Sequence, residues 1–535
     1  MITEDELLRL GNQEKAWNKY CGFLDLSLLE FMEIQEQLLM KQIDAVYQRP
    51  LARKFIPHKP KDVSEFRQIV KLTTYKDYST YLSKKDEDML AVKPYCWART
   101  SGVRGDPKWV PYTHRAVEMF TMCSVAIVIL ACAANKNEVN IRHGLRVLHN
   151  LPPPPYMYGI VNELLAPQLG ARLLLPSTAY GHTDFEERIQ EGFQMALRTG
   201  VDMISSMTSV LVRMGEKFAE SSAQWKVDRQ MLQPQILGRL ALAWLRCKKE
   251  GRAMLPKDLW SLKGLACYGI DTSIYREQIK YYWGKDPLEM YGAAEAGTIA
   301  TQAWNKKNMT FFPASCFWEF IPEEEWLKSR EKNDYQPRTV LLNEVKPGRR
   351  YELVITSFHG MPFLRYRLGD LIQIVALEDK EAGIRLPQMA FECRADDIID
   401  IAGFAGLYEK TLWQAIANTG VQVEDWSARK EYEKEEPVLH LYIEPRGDID
   451  IQELESLIYQ QLVELNREQH ELENTLESKS IRITIIPRGS FQRYLERMKK
   501  KEADLAHLKP PHINASDDII KDLIGAAASP GRGNA

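Results

Sequence analysis

A short stretch at residues 100–113, TSGVRGDPKWVPYT, has the residue types and spacing of an anion-binding loop. Gly102 and Gly105 lie three residues apart, and Arg104 and Lys108 supply positive charge beside them. Glycine-containing loops let backbone N–H groups converge on an anion, and both cations would strengthen that attraction. The flanking residues favour strands, so we predict a hairpin with this loop at its tip. An ordinary surface hairpin explains the same residues equally well, because short glycine motifs recur by chance.

Two carboxylates further along the chain also suit nucleotide binding. Glu295 ends the sequence YGAAE after a strand-like segment, where a carboxylate can bind a divalent metal that carries phosphates. Asp370 ends YRLGD, where a carboxylate after a glycine turn can accept two hydrogen bonds from a ribose diol. A purely structural interpretation stays open for each residue. Glu295 would then be a solvated glutamate in a tight strand-to-helix turn. Asp370 would lie in a hairpin turn and form a surface Arg–Asp pair, which contributes little energy.

Further charged positions lie towards the C-terminus. Lys509 precedes two prolines that restrict its backbone, so its ammonium could reach a phosphate or a carboxylate. The three lysines at 499–501 end a basic helical pattern and are typical of a solvated face. The run RADD at 394–397, taken alone, is a charged linker.

Length, charge and cysteine content limit the class of protein. A chain of 535 residues exceeds one compact core, so at least two domains are expected. The net charge of −3 provides no general attraction to nucleic acid or to an anionic membrane. Eight scattered cysteines without a CxxC pair indicate reduced thiols in a cytoplasmic protein. A disulfide scaffold and a structural zinc site are both disfavoured.

Neither a signal sequence nor a membrane span is predicted. The N-terminal residues MITEDELLRL are acidic and have no apolar core. The most apolar run, at 119–134, has sixteen residues, which is short of the roughly 20 that span a bilayer. Because this run directly follows the glycine loop, we predict a buried core helix.

Alternating strands and helices are predicted to position these residues. Between residues 145 and 283 short apolar strands alternate with helices, which predicts a largely parallel sheet covered by helices. Ligands bind at the carboxyl ends of strands in such sheets. From about residue 311, short strands with turns predict a smaller antiparallel or barrel-like subdomain. A polar joint at 394–400 leads to a small unit of helices and strands, and the patternless end is predicted to be disordered.

In this order and spacing, the motifs resemble those of the adenylate-forming superfamily of acyl-CoA synthetases, peptide-synthetase adenylation domains and luciferases. TSGVRGDPK resembles the phosphate loop, YGAAE the aromatic and metal motif, YRLGD the ribose motif and RADD the interdomain hinge. Within the superfamily the chain looks most like the auxin-responsive acyl-acid amido synthetase family. That likeness comes from the stretches LPKDLWSLKGLACYGIDTSIY, TTYKDY, PRGSFQRYL and LKPP.

The resemblance implies an α/β fold with a large N-terminal domain at 1–393, which has mostly parallel sheets and a β-barrel-like subdomain. A small mobile α+β C-terminal domain would follow at 394–525, with Asp396 as the hinge. The composition of residues 526–535, apart from the resemblance, predicts a disordered tail. The implied reaction has two steps. A small carboxylic acid attacks the α-phosphate of Mg-ATP, which gives an acyl-adenylate and pyrophosphate, and an amino acid, another amine or coenzyme A then displaces AMP.

The resemblance also implies roles for single residues. Those implied to hold the ATP phosphates are Thr100, Ser101, Gly102, Arg104, Gly105 and Lys108. Those implied to bind adenine and ribose are Tyr291, Gly292, Asp370 and Arg394. Those implied to be catalytic are Lys509, which would bridge the substrate carboxylate and the α-phosphate, Glu295, which would bind Mg²⁺, and Arg394.

Two positions depart from the family pattern. Val103 stands after the first glycine, where a hydroxyl residue is usual, and Ala294 precedes Glu295, where Ser or Thr is usual. Arg104 would compensate for the first change, because a guanidinium binds phosphate well. The loop spacing looks more like that of acyl-CoA ligases. From the family likeness we predict an amide-forming ligase that is a monomer or dimer. The loop spacing leaves a thioester ligase as an alternative, and Val103 and Ala294 leave an inactive nucleotide-binding relative as another.

Overall fold

The computed structural model describes residues 12–100, 108–175, 185–224, 234–268, 272–332, 334–395, 397–401, 404–433, 436–447, 449–466, 481–500 and 511–525. Several positions that the sequence singled out lie outside the described residues: Ser101, Gly102, Val103, Arg104, Gly105, Asp396, Lys509 and the tail 526–535. Their implied roles therefore stay predictions.

Sixteen α-helices lie within the described residues. They are α1 (Gln13–Tyr20), α2 (Leu28–Val46), α3 (Val63–Ile69), α4 (Lys76–Leu82), α5 (His114–Cys132), α6 (Met157–Gln168), α7 (Phe185–Thr199), α8 (Thr208–Gln224), α9 (Pro234–Glu250), α10 (Pro256–Leu259), α11 (Thr272–Trp283), α12 (Glu323–Glu331), α13 (Glu409–Asn418), α14 (Ile451–Asn466), α15 (Ser490–Lys500) and α16 (Asp517–Gly525).

The strands of the same part of the chain form four sheets. They are β1 (Cys96–Arg99), β2 (Trp109–Tyr112), β3 (Arg146–Asn150), β4 (Arg172–Leu173), β5 (Met203–Met207), β6 (Gly264–Tyr268), β7 (Leu288–Ala293), β8 (Gly297–Gln302), β9 (Met309–Phe311), β10 (Cys316–Pro322), β11 (Arg350–Ser357), β12 (Tyr366–Ala376), β13 (Gln388–Arg394), β14 (Ile398–Ile401), β15 (Phe404–Tyr408), β16 (Val423–Glu433), β17 (Glu436–Pro445) and β18 (Ile481–Ile485).

The largest sheet has eleven strands in the order β10-β11-β12-β13-β9-β8-β7-β6-β5-β3-β4. The strands β4, β3, β5, β6 and β7 run parallel, as the alternation of strands and helices predicts. From β8 onwards the strands pair antiparallel: β8 with β7, β9 with β8, β13 with β9, and β11 with β10. The α/β fold class is confirmed, although the sheet is mixed where we expected mostly parallel strands.

The antiparallel strands that we expected in a barrel-like subdomain are present, and they continue the hydrogen bonding of the parallel strands in one sheet. The cause is the short connection after β7, where Ala293 pairs with Gly297. A turn of this length cannot carry a crossover helix, so the next strand must run antiparallel along the same edge.

The hairpin around the glycine loop and the helix after it are both confirmed. β1 pairs with β2 in antiparallel register, with Arg99 opposite Trp109. Thr113 then caps α5, because its hydroxyl accepts a hydrogen bond from the Ala116 N–H at 3.1 Å. Among the described helices α5 alone is long and apolar enough to cross a membrane, and 78% of its apolar window is buried inside the protein. It is a core helix.

The described residues divide into two compact units. The first takes those within Met1–Thr100, Lys108–Leu368 and Ile372–Phe391, and the second takes those within Gly369–Leu371 and Glu392–Ala535. In the second unit β16 and β17 are antiparallel and β17 and β18 are parallel. Its core contains Trp426, Leu441 and Ile458. The predicted hinge and the mobility of the C-terminal domain stay predictions.

Candidate functional site

Glu295 follows the carboxyl end of β7, where the large sheet changes from parallel to antiparallel. The turn there joins two strands, and Gly297 has a φ of +70°, which favours glycine. Our structural interpretation of a strand-to-helix turn is therefore wrong. The solvated glutamate is also wrong, since Glu295 is only 7% exposed. A buried carboxylate at such a switch in strand direction is well placed for a ligand site.

Two side chains hold the Glu295 carboxylate. The Tyr366 hydroxyl donates to Glu295 Oε1 at 3.0 Å. The Nζ of Lys108 lies 3.4 Å from the same oxygen and 3.4 Å from the tyrosine oxygen. Lys108 Nζ also lies 5.0 Å from the centre of the Tyr75 ring. A cation, a phenol and a carboxylate thus meet at one point, where low polarity strengthens each interaction.

The base of the glycine loop positions Lys108. Its backbone N–H donates to the Thr100 hydroxyl at 3.0 Å, and the Thr100 N–H donates to the Lys108 carbonyl at 2.9 Å. The next residue, Trp109, donates its N–H to the Tyr75 hydroxyl at 3.1 Å. The Thr100 side chain therefore helps to close the base of the loop. Its contact with phosphate stays a prediction.

Sequence reasoning assigned no role to Tyr366 or Tyr75, although both lie in motifs that it quoted. Thr73, from the same TTYKDY stretch as Tyr75, forms a parallel bridge to Tyr366. The Arg367 N–H donates to the Thr73 carbonyl at 2.8 Å. Their position inside these motifs could have identified both tyrosines as site residues. The sequence does not show that the two motifs lie side by side in the fold.

A buried ion pair fixes the chain immediately before Tyr366. Arg365 donates from Nε and Nη2 to the two carboxylate oxygens of Glu319, at 3.0 and 2.9 Å. Its Nη1 donates to the carbonyls of Arg67 and Val70, both at 2.6 Å. Arg365 is 6% exposed and Glu319 is fully buried. Arg365 also has a φ of +43°, so these contacts hold a backbone that side-chain-bearing residues rarely adopt.

Burial raises the pKa of two phenols near this site, those of Tyr112 and Tyr75. It raises the pKa of Tyr112 well above its usual value, and the nearby Cys316 and Glu295 add to that rise. The Tyr112 hydroxyl donates to the Ala294 carbonyl at 2.5 Å. Burial also raises the pKa of Tyr75, while its hydrogen bond at Trp109 works against the shift. Both hydroxyls are therefore hydrogen-bond donors at neutral pH.

The second unit brings together Asp370 and Arg394. Asp370 is 4% exposed, and its Oδ1 lies 3.4 Å from the Nη1 of Arg394. Gly369, with a φ of +74°, accepts a hydrogen bond from the Ala395 N–H at 2.8 Å. Asp370 belongs to strand β12, so the hairpin turn with a surface pair is wrong. The predicted ribose contact of this pair stays a prediction.

Tyr291 and Gly292 lie on β7, just before the turn that carries Glu295. Tyr291 is 8% exposed, and its ring centre lies 5.1 Å from that of Phe391. A Cβ atom at Gly292 would lie 2.6 Å from the Tyr158 hydroxyl and 2.8 Å from the Gly297 carbonyl oxygen. Only glycine allows this close approach of β7 to both neighbours.

Replacing Gly292 with alanine is therefore expected to destabilise the turn by about 1–3 kcal/mol, the usual range for overpacking, and to slow turnover by moving Glu295. Thermal unfolding and steady-state rates measure the two effects. Gly238 in α9 is the matched control, since a Cβ there meets open space. Equal stability and activity of the two alanine variants would contradict the prediction.

The residues at Glu295 fit a metal that arrives with a nucleotide. In the part of the chain that the structure describes, no group of three or more His, Cys, Asp or Glu side chains is arranged to hold an ion. Mg²⁺ is commonly bound by one or two carboxylates together with substrate phosphates and water. A single buried carboxylate suits that mode of binding, and it does not suit a metal cage built of protein side chains alone.

The same fold occurs in ligases that form amides and in ligases that form thioesters. A solved GH3.15 acyl acid amido synthetase in complex with 2,4-DB has a TM-score of 0.70 and 16% identity, and the match covers 96% of each chain. A 2-hydroxyisobutyryl-CoA ligase in the postadenylation state has a TM-score of 0.62 and 13% identity, and covers 94% of this chain and 93% of its own. The chain thus has the fold of adenylate-forming ligases.

Two stretches of the chain match models of one family among the proteins with this fold. The GH3 family N-terminal domain matches residues 23–148, which include Lys108, and the GH3 family central domain matches residues 309–394, which include Tyr366, Asp370 and Arg394. Two separate stretches of the chain are therefore similar to domains of the GH3 family. The resemblance found in the sequence is thereby confirmed.

Relatives with assigned activities match over parts of their length. The jasmonoyl–L-amino acid synthetase GH3.5 of Oryza sativa subsp. japonica is 31% identical over 148 residues, which is 25% of this chain and 24% of the relative. The indole-3-acetic acid-amido synthetase GH3.10 of Arabidopsis thaliana is 24% identical over 273 residues, which is 46% of this chain and 44% of the relative. The chain thus spans less than half the length of either relative.

Proposed function

We propose that this protein is an ATP-dependent, AMP-forming ligase that activates a carboxylic acid as an acyl-adenylate and transfers the acyl group to an amine. The observation that carries the proposal is the cluster at the end of β7. There a buried carboxylate, Glu295, lies within hydrogen-bonding reach of Lys108 and Tyr366. Glu295 would bind a metal ion and Lys108 would bind a phosphate. A site that forms adenylates needs a group for each of these two tasks.

In the first step an oxygen of the substrate carboxylate attacks the α-phosphorus of ATP, and the bond to the β-phosphate oxygen breaks. Negative charge builds on the phosphates, so fixed cations and hydrogen-bond donors lower the barrier. Lys108 supplies one such cation. Glu295 would hold Mg²⁺, which neutralises phosphate charge when it is bound. Tyr366 orients the Glu295 carboxylate by donating to one of its oxygens.

Residues of the second unit complete the proposal. The buried Asp370 carboxylate would accept hydrogen bonds from the ribose hydroxyls, with Arg394 beside it. Lys509 would bridge the substrate carboxylate and the α-phosphate, and Asp396 would act as the hinge of a mobile C-terminal domain. An acyl-adenylate hydrolyses readily, so a domain that closes over it would protect it.

In the second step a nucleophile attacks the acyl carbon, AMP leaves, and the nucleophile loses its proton. Two curated relatives carry the names jasmonoyl–L-amino acid synthetase and indole-3-acetic acid-amido synthetase, which supports an amino acid as the acceptor here. A thiol acceptor is the alternative, because a coenzyme A ligase shares the fold and the loop spacing is closer to that class.

The cell compartment is a further part of the proposal. All eight cysteines lie in the described residues, and none of the eight is in a disulfide. Reduced thiols are usual in the cytoplasm and unusual in secreted proteins. We therefore place the enzyme in the cytoplasm, acting on small acids and small acceptors.

An exchange of radioactive pyrophosphate into ATP tests the first step over a panel of aromatic, fatty and hydroxy acids. We expect at least one acid to support exchange, and we expect EDTA to abolish it. Amino acids, and then coenzyme A, added to each active acid would identify the acceptor by the product formed. Tight ATP binding with no exchange on any acid would overturn the proposal and favour an inactive relative.

A further inference from the structure

Helix α9 has apolar side chains on its outer side as well as on its inner side. The inner residues, spaced three and four apart, are buried in a core of the first unit: Ile236, Leu240, Ala243 and Cys247. The large apolar residues on the outer side are exposed: Leu237, Leu242, Trp244 and Leu245. Leu242 is 60% exposed and Leu245 is 57% exposed. A surface helix normally has polar residues on the side that faces water, so this outer side is unusual.

The exposed residues form one continuous surface, which we call the outer face of α9. Ala241 is also exposed, and it stands four residues from both Leu237 and Leu245. Leu242 stands three residues before Leu245, so these side chains lie on adjacent turns of the same side. Apolar residues scattered singly over a surface are normal, whereas a contiguous apolar patch marks a surface that binds a partner or a membrane.

Positive charge borders the outer face at its C-terminal end. Residues 234–249 contain four basic residues and neither Asp nor Glu. One of the four, Arg239, is turned towards α7 and donates to the Leu197 carbonyl at 3.0 Å. The other three are exposed: Arg246, Lys248 and Lys249. The Nζ of Lys248 lies 4.6 Å from the centre of the Trp244 ring, so charge and apolar surface meet there. This local excess stands out in a chain whose net charge is −3.

The charges decide which partner fits the outer face. A second copy of α9 would bring no carboxylate to the three cations from its residues 234–249, and its Glu250 is already paired with Arg252 at 2.7 Å. An anionic lipid surface supplies negative charge and an apolar layer together. It also accommodates the convex side of a single helix, because lipids need no preformed groove. Helical faces with Leu and Trp beside Lys and Arg are typical of membrane interfaces.

We propose that the outer face of α9 docks the protein on the surface of a membrane that contains anionic lipids. The leucines enter the boundary between headgroups and acyl chains, and Trp244 lies at the level of the headgroups, where tryptophan is enriched. Lys248 and Lys249 face the anionic headgroups. The inner side of α9 stays in the core, so the contact is peripheral and reversible. It does not depend on the proposed ligase activity.

Sedimentation of the full chain with sucrose-loaded vesicles tests the docking. One set of vesicles contains phosphatidylcholine alone, and the other contains equal parts of phosphatidylcholine and phosphatidylserine. We expect binding to the mixed vesicles to be about 10- to 100-fold stronger, because each basic residue near an anionic surface adds to the attraction. Added salt should weaken this binding, since exposed charges are screened.

Two double variants separate the apolar part of the contact from the charged part. Leu242→Gln/Leu245→Gln should lower binding to the mixed vesicles about 10-fold or more, because less apolar surface enters the interface. Lys248→Gln/Lys249→Gln should remove most of the preference for phosphatidylserine.

Matched controls replace exposed residues of the same types elsewhere in the first unit. Leu29→Gln/Leu327→Gln changes leucines that are 70% and 44% exposed on α2 and α12. Lys71→Gln/Lys84→Gln changes two exposed lysines outside α9. Both controls should bind the mixed vesicles like the wild type, and thermal unfolding checks that all four variants are folded.

Three results would each overturn the proposal. The first is no preference of the wild type for the mixed vesicles, or equal binding by the α9 variants and their controls. The second is binding to soluble poly-L-glutamate without binding to vesicles, which would indicate an acidic protein as the partner. The third is a concentration-dependent dimer in sedimentation velocity that Leu242→Gln/Leu245→Gln abolishes, which would indicate a second copy of the chain.

Discussion

Replacing Glu295 with glutamine is expected to slow adenylate formation by about 100- to 1,000-fold, the usual effect of removing one preorganised charge from a reaction site. Glutamine keeps the shape and can still accept the hydrogen bond from Tyr366. It removes the negative charge that faces Lys108 and that would hold Mg²⁺. We also expect the Mg²⁺ concentration required for half-maximal exchange to rise, which a titration of the exchange assay measures.

Glu289→Gln is the matched control, because Glu289 lies on the same strand, β7, but not at the turn. This variant should retain the wild-type rate and the wild-type Mg²⁺ requirement. Thermal unfolding of both variants checks that the turn is intact. An exchange rate of Glu295→Gln equal to that of Glu289→Gln would exclude Glu295 as the metal-binding carboxylate.

Local sequence patterns predicted the parts of the site whose partners are close in the chain. The hairpin of β1 and β2 was predicted because strand-like residues flank the glycine loop. The helix α5 was predicted because its apolar run of sixteen residues directly follows the glycine loop and falls short of the roughly 20 residues that span a bilayer. Both features depend on neighbouring residues, since each backbone hydrogen bond within them joins nearby positions.

The cluster at Glu295 could not be predicted in the same way. Lys108 is 187 residues away from Glu295 in the chain and 258 residues away from Tyr366. The motifs placed each residue near a nucleotide, but no periodicity shows that the tyrosine hydroxyl and the lysine ammonium meet at one carboxylate oxygen. Such contacts follow from the order of strands in the sheet, which sequence patterns do not specify.

Asp370 illustrates a second limit. A glycine before a carboxylate favoured a turn, because a positive φ is most often found there. Gly369 does have a positive φ, but it lies within the eleven residues of β12. A glycine inside a strand can change the local direction of the chain without ending the strand. The sequence predicted a turn at this glycine, whereas the structure has it inside a strand.

The sequence also contained Arg365 and Glu319 without showing that they form a buried pair. Replacing Glu319 with leucine is expected to destabilise the first unit by about 3–5 kcal/mol, because it leaves the charge of Arg365 buried without its bidentate partner. Turnover should fall as well, since Arg365 fixes the chain next to Tyr366. The midpoint of urea unfolding and the exchange rate measure the two effects.

The mechanism behind this prediction is tested by removing both charges. The variant Glu319→Leu/Arg365→Met should be more stable than Glu319→Leu alone, because the buried charge of Arg365 is then removed together with its partner, and only the partly exposed Arg67, 3.2 Å from Glu319, loses its carboxylate in both variants. Glu381→Leu is the control, since Glu381 pairs with Lys307 at the surface and its side chain is 62% exposed. An exposed pair contributes about 0–1 kcal/mol. If the double variant were less stable than Glu319→Leu, the loss would come from packing and hydrogen bonds around Arg365, and the buried charge would not be its cause.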